Sequence, residues 1–531
     1  MAESSSRTLS SARVISAYTL LSRMLGLVRD VLCFQAFGAV GLSAFLWAWT
    51  LPNLFRRILG EGAFGSAFIP IFTRHLEGKE PERAWRFAGR SLSFLIAVLV
   101  TLTVIAELAL WVFPAEVAAG FFGGEAAARS ALELVAWLLP YLVFICLVGF
   151  LQGILNSQGH FAMPAFAPVL LNVFWIGGFF VSRAAFASSP DLQLRFLAAS
   201  LLLGGLAQLL IQLPPLRKVS QGRLKFSVSG WWEGDLKELW RQTAPVILGL
   251  SAVQINLVVD RAIAQAVVGP SANSVLFLGN RLAMLPLALI GVALGTAIFP
   301  SLSRSHSRTD QDGLRRTLSR ALRIALGLAV PASVGLMILA RPVTELFFEY
   351  RQFGERDAAG TAACIAAYAI GIPATCLNTI LMRVFFARGE ARRAMHVSVA
   401  LIAVNAALTL ALVFPLGAAG SAIATSLTSF VQLAWLLRIL SKHFDGESLF
   451  RTGPSAWSLR LAVPPLLMGA SVAACLWGLG WTFAGEPGLP GRITSVVLPV
   501  IIGVLTFLIL ARRFDPDTFQ AAIGLRRRRS S

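Results

Sequence analysis

Apolar residues in this chain run in long blocks and do not alternate. Approximate blocks are 14–36, 42–60 (continuing through a break to 74), 88–113, 130–153, 162–182, 194–216, 241–268, 273–302, 320–340, 358–386, 395–415, 418–440, 457–482 and 493–511. Each is near the ~20 residues a helix needs to cross roughly 30 Å of hydrocarbon. Strand-like alternation is absent, and backbone groups in lipid must be satisfied within each segment, so the pattern predicts helices and not a barrel. The expectation is an all-α polytopic membrane protein with fourteen transmembrane helices. Pro52, Pro70, Pro286, Pro300 and Pro373 interrupt several blocks, where neighbouring helices can re-satisfy the freed backbone.

Positive charge in the loops sets the orientation. One side collects Lys and Arg in 74–90 (five), 217–241 (six), 304–323 (six), 388–393 (three), 438–460 (four) and the tail "RRRR" at 526–529. The other side holds one in 114–129, two in 183–195, three in 341–356 and one in 483–492. That asymmetry predicts a multi-pass protein with both termini in the cytoplasm.

An internal repeat divides the chain. "GSAFIPIFTR" at 65–74 matches "GTAIFPSLSR" at 295–304, and at the same offset of 230 residues Gly159 falls on Gly389. An even number of blocks separates each pair, so the repeat is parallel. It predicts two six-helix lobes with pseudo-two-fold symmetry, 1–220 and 221–445. A two-helix region at 446–515 and a basic tail at 516–531 lie outside it. Transporters built this way bind substrate between the halves and rock them for alternating access.

Charged residues within the blocks are candidate functional groups, because even mild scales put an arginine at mid-bilayer near +3 kcal/mol. In "LLSRMLGLVRDVL", Arg23 and Asp30 share one helical stripe, while Arg29 lies on another face and nearer a membrane end. In "LPNLFRRILGEGAF", Arg57 and Glu61 stand four apart and can pair across a turn, which leaves Arg56 to find another anion. Arg281 and Asp260 carry charge in the second half. Arg23, Arg56 and Arg281 together suit a phosphate-bearing ligand, whose oxygens match the planar guanidinium fork. A proton-coupled exporter of cationic drugs would instead need acids.

Composition narrows the class further. The 531 residues are 56% hydrophobic and 14% charged, with a net charge of +19. In such a chain the positive excess reads as cytoplasmic loops and anionic lipid contact, not nucleic acid. The N-terminus lacks a clean apolar core and a cleavage site, so no signal peptide is expected. Five cysteines lie in apolar segments without CxxC spacing, and five histidines form no HExxH or triad-like set. No GxxxxGK[ST] loop is present, so no enzyme activity, cofactor or metal is expected.

The runs "SRMLGLVRD" at 22–30, "LPNLFRRILGEGAFGSAFIPIF" at 51–72, "NLVVDR" at 256–261 and "GVALGTAIFPSLSR" at 291–304 resemble the MurJ (MviN) lipid II flippases of the MOP exporter superfamily. The resemblance covers essentially the whole chain. It implies carriage of lipid II, the undecaprenyl-pyrophosphate-linked peptidoglycan precursor, across the bacterial inner membrane in cell-wall biogenesis. Arg23, Arg29, Asp30, Arg56 and Arg281 would then face the headgroup, and the last two helices would form a groove for the polyprenyl tail. A family cation site would map onto Asp260, Asn405 and Thr425.

This sequence departs from the family in two places. Ser43 stands where some relatives carry an acid, and Thr409 stands where the cation set has a carboxylate. One acid remains, so hydrogen-bonded packing of Asn405 and Thr425 competes with sodium binding. Sodium, protons or the membrane potential could each drive the cycle. A flippase for another polyprenyl-linked saccharide and a non-transporting scaffold among other cell-wall synthesis proteins stay open as alternatives.

Overall fold

The computed structural model describes residues 2–58, 64–232, 234–287, 311–350, 352–388, 390–442, 454–482 and 488–522. Among these residues the secondary structure is helical, and eleven helices are long and apolar enough to cross a membrane. The chain divides into two compact units, Met1–Val258 and Val259–Ser531.

The first unit holds α1 (Ala2–Phe55), α2 (Phe64–Glu77), α3 (Pro81–Val112), α4 (Ala115–Phe122), α5 (Glu125–Leu138), α6 (Tyr141–Ser157), α7 (Ala162–Ala185), α8 (Pro190–Leu210), α9 (Leu213–Ser220) and most of α10 (Gly234–Val268). The membrane-compatible stretch of α1, Ala17–Ile58, runs 42 residues. At 1.5 Å per residue it would be about twice as long as the hydrocarbon core is thick. Gly38 divides it with φ 68° and ψ −178°, a backbone state open to glycine because it has no Cβ. The first two sequence blocks are therefore two helices that meet at a kink at Gly38.

Aromatic rings fill the centre of this unit. Phe64, Phe68 and Phe72 recur every fourth residue on α2 and stack in turn, with centroids 6.4 and 5.3 Å apart. Phe68 meets Phe150 of α6 at 4.6 Å and Phe87 of α3 at 5.2 Å. Two side-chain contacts join the end of α2 to the start of α10: the ion pair of Arg74 with Glu238 at 2.9 Å, and the buried His75, whose Nε2 lies 3.1 Å from Asp235 Oδ2.

The second unit holds the rest of α10, then α11 (Ala272–Leu287), α12 (Gln311–Phe347), α13 (Glu355–Ala387), α14 (Ala391–Leu416), α15 (Ala418–Ser441), α16 (Pro454–Thr482), α17 (Leu489–Phe514) and α18 (Pro516–Ala522). Its core joins Leu318, Leu322 and Ala325 of α12 to Leu377, Leu381 and Phe385 of α13, and to Leu436 and Leu440 of α15. The last helices dock on α12. Arg492 of α17 donates to the carbonyls of Glu345 (2.9 Å) and Glu349 (2.7 Å), capping the end of α12, while its guanidinium lies over Tyr350. Leu505 and Ile509 of α17 stay exposed, as lipid-facing side chains do.

Several sequence readings fall outside the described residues: the second copies of the repeat, 295–304 with Pro300 and Gly389, then Glu61, and the arginine run of the tail. The first copy forms α2.

Helices in lipid have no hydrophobic drive toward one another, so close backbone approach through small residues holds them. At Gly420 a Cβ would lie 2.1 Å from the carbonyl oxygen of Leu412, and main chain cannot swing aside. Gly420→Val is expected to destabilise the protein by about 2 kcal/mol or more, read from thermal unfolding in detergent.

Candidate functional site

The charged candidates fall into two clusters, one in each unit. In the first, Arg29 and Asp30 are both buried, at 8% and 5% exposure. Arg29 donates through Nη2 (2.6 Å) and Nε (2.9 Å) to Asp30 Oδ1, and through Nη1 (3.2 Å) to Asn172 Oδ1. Its guanidinium stacks 4.0 Å from the centre of the Trp175 ring. Asn172 also donates to the carbonyl and the hydroxyl of Ser22, at 3.0 and 3.2 Å, so one amide ties α7 to two turns of α1. Arg29 and Asp30 lie on different faces of α1 by residue angle, yet their side chains meet, and both are enclosed by α7.

Arg23 is different. It is exposed, on a stretch of α1 that also exposes Leu20 and Met24. Among the described residues it makes no ion pair. An arginine within an apolar span cannot face acyl chains cheaply, so this guanidinium requires water or an anion.

Arg56 follows Phe55 in a single wider helical turn and is half-buried. Its Nε and Nη2 donate to Asn53 Oδ1 at 3.1 and 2.8 Å, so a neutral amide orients the guanidinium without contributing charge. Arg57 is exposed and reaches Gln254 at 3.4 Å. Glu61, the partner expected for Arg57, lies outside the described residues.

In the second unit Asp260 is buried and accepts three hydrogen bonds. Asn405 Nδ2 (2.6 Å) and Thr409 Oγ1 (2.9 Å) donate to Oδ1, and Thr425 Oγ1 (3.2 Å) donates to Oδ2. The structure thus brings Asp260, Asn405 and Thr425 together and adds Thr409. The amide oxygen of Asn405, which could ligate a cation, instead accepts from Thr428 at 3.1 Å. As arranged, the Asp260 carboxylate is ringed by the side chains of Asn405, Thr409 and Thr425. No group of three or more His, Cys, Asp or Glu able to hold a metal occurs among the described residues.

Arg281 is half-buried on α11 and has contacts of its own. Its neighbour Asn280 lines a cavity of about 40 Å³ with Tyr368, Thr375, Thr425 and Ser429. That volume accommodates about three waters. Thr425 faces this cavity and Asp260 alike.

Several groups were missed in the sequence: Asn172, Trp175, Asn53 and Gln254. Each is a polar or amphipathic residue inside or beside an apolar block, and "VLLNVFW" at 169–175 carries the strongest such signal.

A family model described as "Lipid II flippase MurJ" matches residues 34–483. The chain belongs to the MurJ family. The probable lipid II flippase MurJ of Vibrio cholerae is 34% identical over 520 residues, 95% of each chain. The lipid II flippase MurJ of Burkholderia cenocepacia is 31% identical, covering 88% of this chain and 90% of its own. Among solved structures, a MurJ lipid II flippase in an inward closed conformation superposes with a TM-score of 0.75 at 22% identity, over 95% of this chain and 99% of its own. An inward-facing MATE multidrug transporter of the MOP superfamily gives 0.67 at 16%, over 82% of this chain and all of its own. The fold is that of a MOP-superfamily transporter.

Arg29 and Arg23 differ in what removing a charge leaves behind. Asp30→Ala strands a buried guanidinium and is expected to cost about 3 kcal/mol in detergent unfolding, whereas Arg23→Ala is expected to change stability by less than about 0.5 kcal/mol.

Proposed function

We propose that this MurJ-family chain flips lipid II across the bacterial inner membrane by alternating access, with Arg23, Arg56 and Arg281 gripping the diphosphate. The observation that carries the grip is Arg23: an exposed guanidinium inside an apolar span, with no ion pair among the described residues. A diphosphate supplies the anion that such a position demands, and its oxygens match the guanidinium fork. Arg29 and Asp30 serve the headgroup indirectly, by fixing α1 against α7 through Asn172 and so setting where Arg23 points. The protein moves its cargo without making or breaking bonds, and the cargo with the surrounding lipids are its partners.

Fourteen spans are the finer reading of the topology. Ala17–Ile58 is long enough for two crossings, and α10 and α11 supply one each beside the other ten membrane-length helices. With loop arginines and lysines as read above, both termini lie in the cytoplasm. The helices α16 and α17, which pack on α12, line the groove for the polyprenyl tail.

We also propose that the membrane potential, not sodium, drives the cycle. The single carboxylate Asp260 is satisfied by Asn405, Thr409 and Thr425 without a cation. An inside-negative potential assists outward movement of an anionic headgroup by about 2.3 kcal/mol per elementary charge per 100 mV.

Complementation of cells depleted of their own flippase, combined with measured exposure of lipid II at the outer face, tests the grip. Arg23→Ala, Arg56→Ala and Arg281→Ala are each expected to lower flipping at least about tenfold while the protein stays folded. Normal growth with all three would remove the diphosphate grip and leave a scaffold role. Replacing external and internal sodium by choline in vesicles is expected to leave the flipping rate unchanged. Collapsing the potential should slow it, and a strict sodium requirement would contradict the reading of Asp260.

A further inference from the structure

Between α9 and α10 residues 221–232 form no helix, with turns at each end, and the segment is strapped along α3. The backbone of Lys225 presses on Gly89 so closely that a Cβ there would sit 1.9 Å from its carbonyl oxygen. Ser227 N donates to Ser93 Oγ at 3.1 Å, and Arg223 pairs with Glu82 at 3.2 Å. Phe94 receives the rings of Trp231 at 5.1 Å and Trp240 at 4.5 Å. Leu224 and Trp231 pack against the core of the first unit.

The outward side of this strap is apolar. Phe226 is 67% exposed, Val228 78% and Trp232 71%. Three large apolar side chains at those exposures on one pinned segment would be a liability in water. The strap lies level with Arg90, whose guanidinium approaches Gly230; Arg90 is the last basic residue of α3, and residues 91–106 beyond it carry no charge. Leu213–Trp232 carries Arg217, Lys218, Arg223 and Lys225 and no acid. Arg217, Lys218 and Lys225 are exposed. Apolar wedges bordered by unopposed bases, held where a span leaves the hydrocarbon, match the headgroup zone of an anionic bilayer.

We propose that residues 221–232 form a membrane-interface anchor. Phe226, Val228 and Trp232 enter the boundary between headgroups and acyl chains, and Arg217, Lys218 and Lys225 bind anionic lipid phosphates. α3 holds the strap in place, so the lipid surface at that end of α3 becomes a fixed contact of the first unit. The inference does not depend on what cargo the protein carries.

The test places a nitroxide at Val228→Cys in a Cys475→Ser background, since the other four cysteines are buried. The full chain is reconstituted in vesicles of phosphatidylethanolamine and phosphatidylglycerol. Collisions with lipid-soluble oxygen are expected to exceed those with an aqueous nickel chelate by about fivefold, as for a site at the acyl boundary. Substituting phosphatidylcholine for both lipids should lower that ratio about twofold, as should joint replacement of Arg217, Lys218 and Lys225 by Gln. Gly89→Leu should lift the strap and turn the label mobile and aqueous. A label more accessible to nickel than to oxygen would overturn the anchor. So would dipolar broadening between labels, which would mean that a second copy covers the face. An unchanged ratio in phosphatidylcholine would overturn the anionic-lipid component, and an unchanged label in Gly89→Leu would overturn the pinning.

Discussion

A charge inside hydrocarbon must be neutralised, hydrogen-bonded or wetted, and that requirement organises this protein more than any other. Arg29 shows the neutralised case. Its carboxylate is the next residue, an amide from α7 takes a third N–H, and an indole face covers the rest. Asp260 shows the hydrogen-bonded case, with donors arriving from α14 and α15. Both arrangements consume side chains from distant helices, so each charge also fixes how those helices pack. Arg23 has no such enclosure among the described residues, and its exposure gives it a different role. In the function proposed above, enclosed charges set the helices and the exposed one is assigned to the cargo.

The packing follows from the same solvent. Because lipid offers no hydrophobic drive, contact comes from shape and from satisfied polar groups. Gly420 lets α15 lie against the main chain at Leu412, and Arg492 closes the end of α12 while bringing α17 alongside. Gly38 lets two helices meet at a kink without a loop. The aromatic ladder of α2 anchors that helix to α3 and α6.

Much of this was legible in the sequence, because a bilayer imposes a single length scale on apolar runs. The membrane-length helices fall on the blocks read from the chain, and family membership was carried by four short runs. Asp260, Asn405 and Thr425 were grouped through the family resemblance, and the structure brings them together. The stripe argument says nothing of how Arg29 and Asp30 are enclosed. Helical geometry describes one helix alone, and the side chains that enclose this pair come from Asn172 and Trp175, 143 and 146 positions away. Thr409 was read as a missing carboxylate, whereas its hydroxyl supplies a donor to the carboxylate that remains. The strap over α3 was counted as a basic loop, since nothing local in "RLKFSVSGWW" reveals that Gly89 receives its backbone.

The central claim is that an unenclosed guanidinium on α1 recognises a diphosphate. Equilibrium binding of undecaprenyl diphosphate and undecaprenyl monophosphate to the purified protein in detergent, with and without Arg23→Ala, tests it most directly. The wild-type chain should favour the diphosphate by about tenfold or more, and Arg23→Ala should erase most of that preference while leaving monophosphate binding nearly unchanged. Equal affinity of the wild-type chain for the two lipids, or a preference that survives the substitution intact, would contradict it.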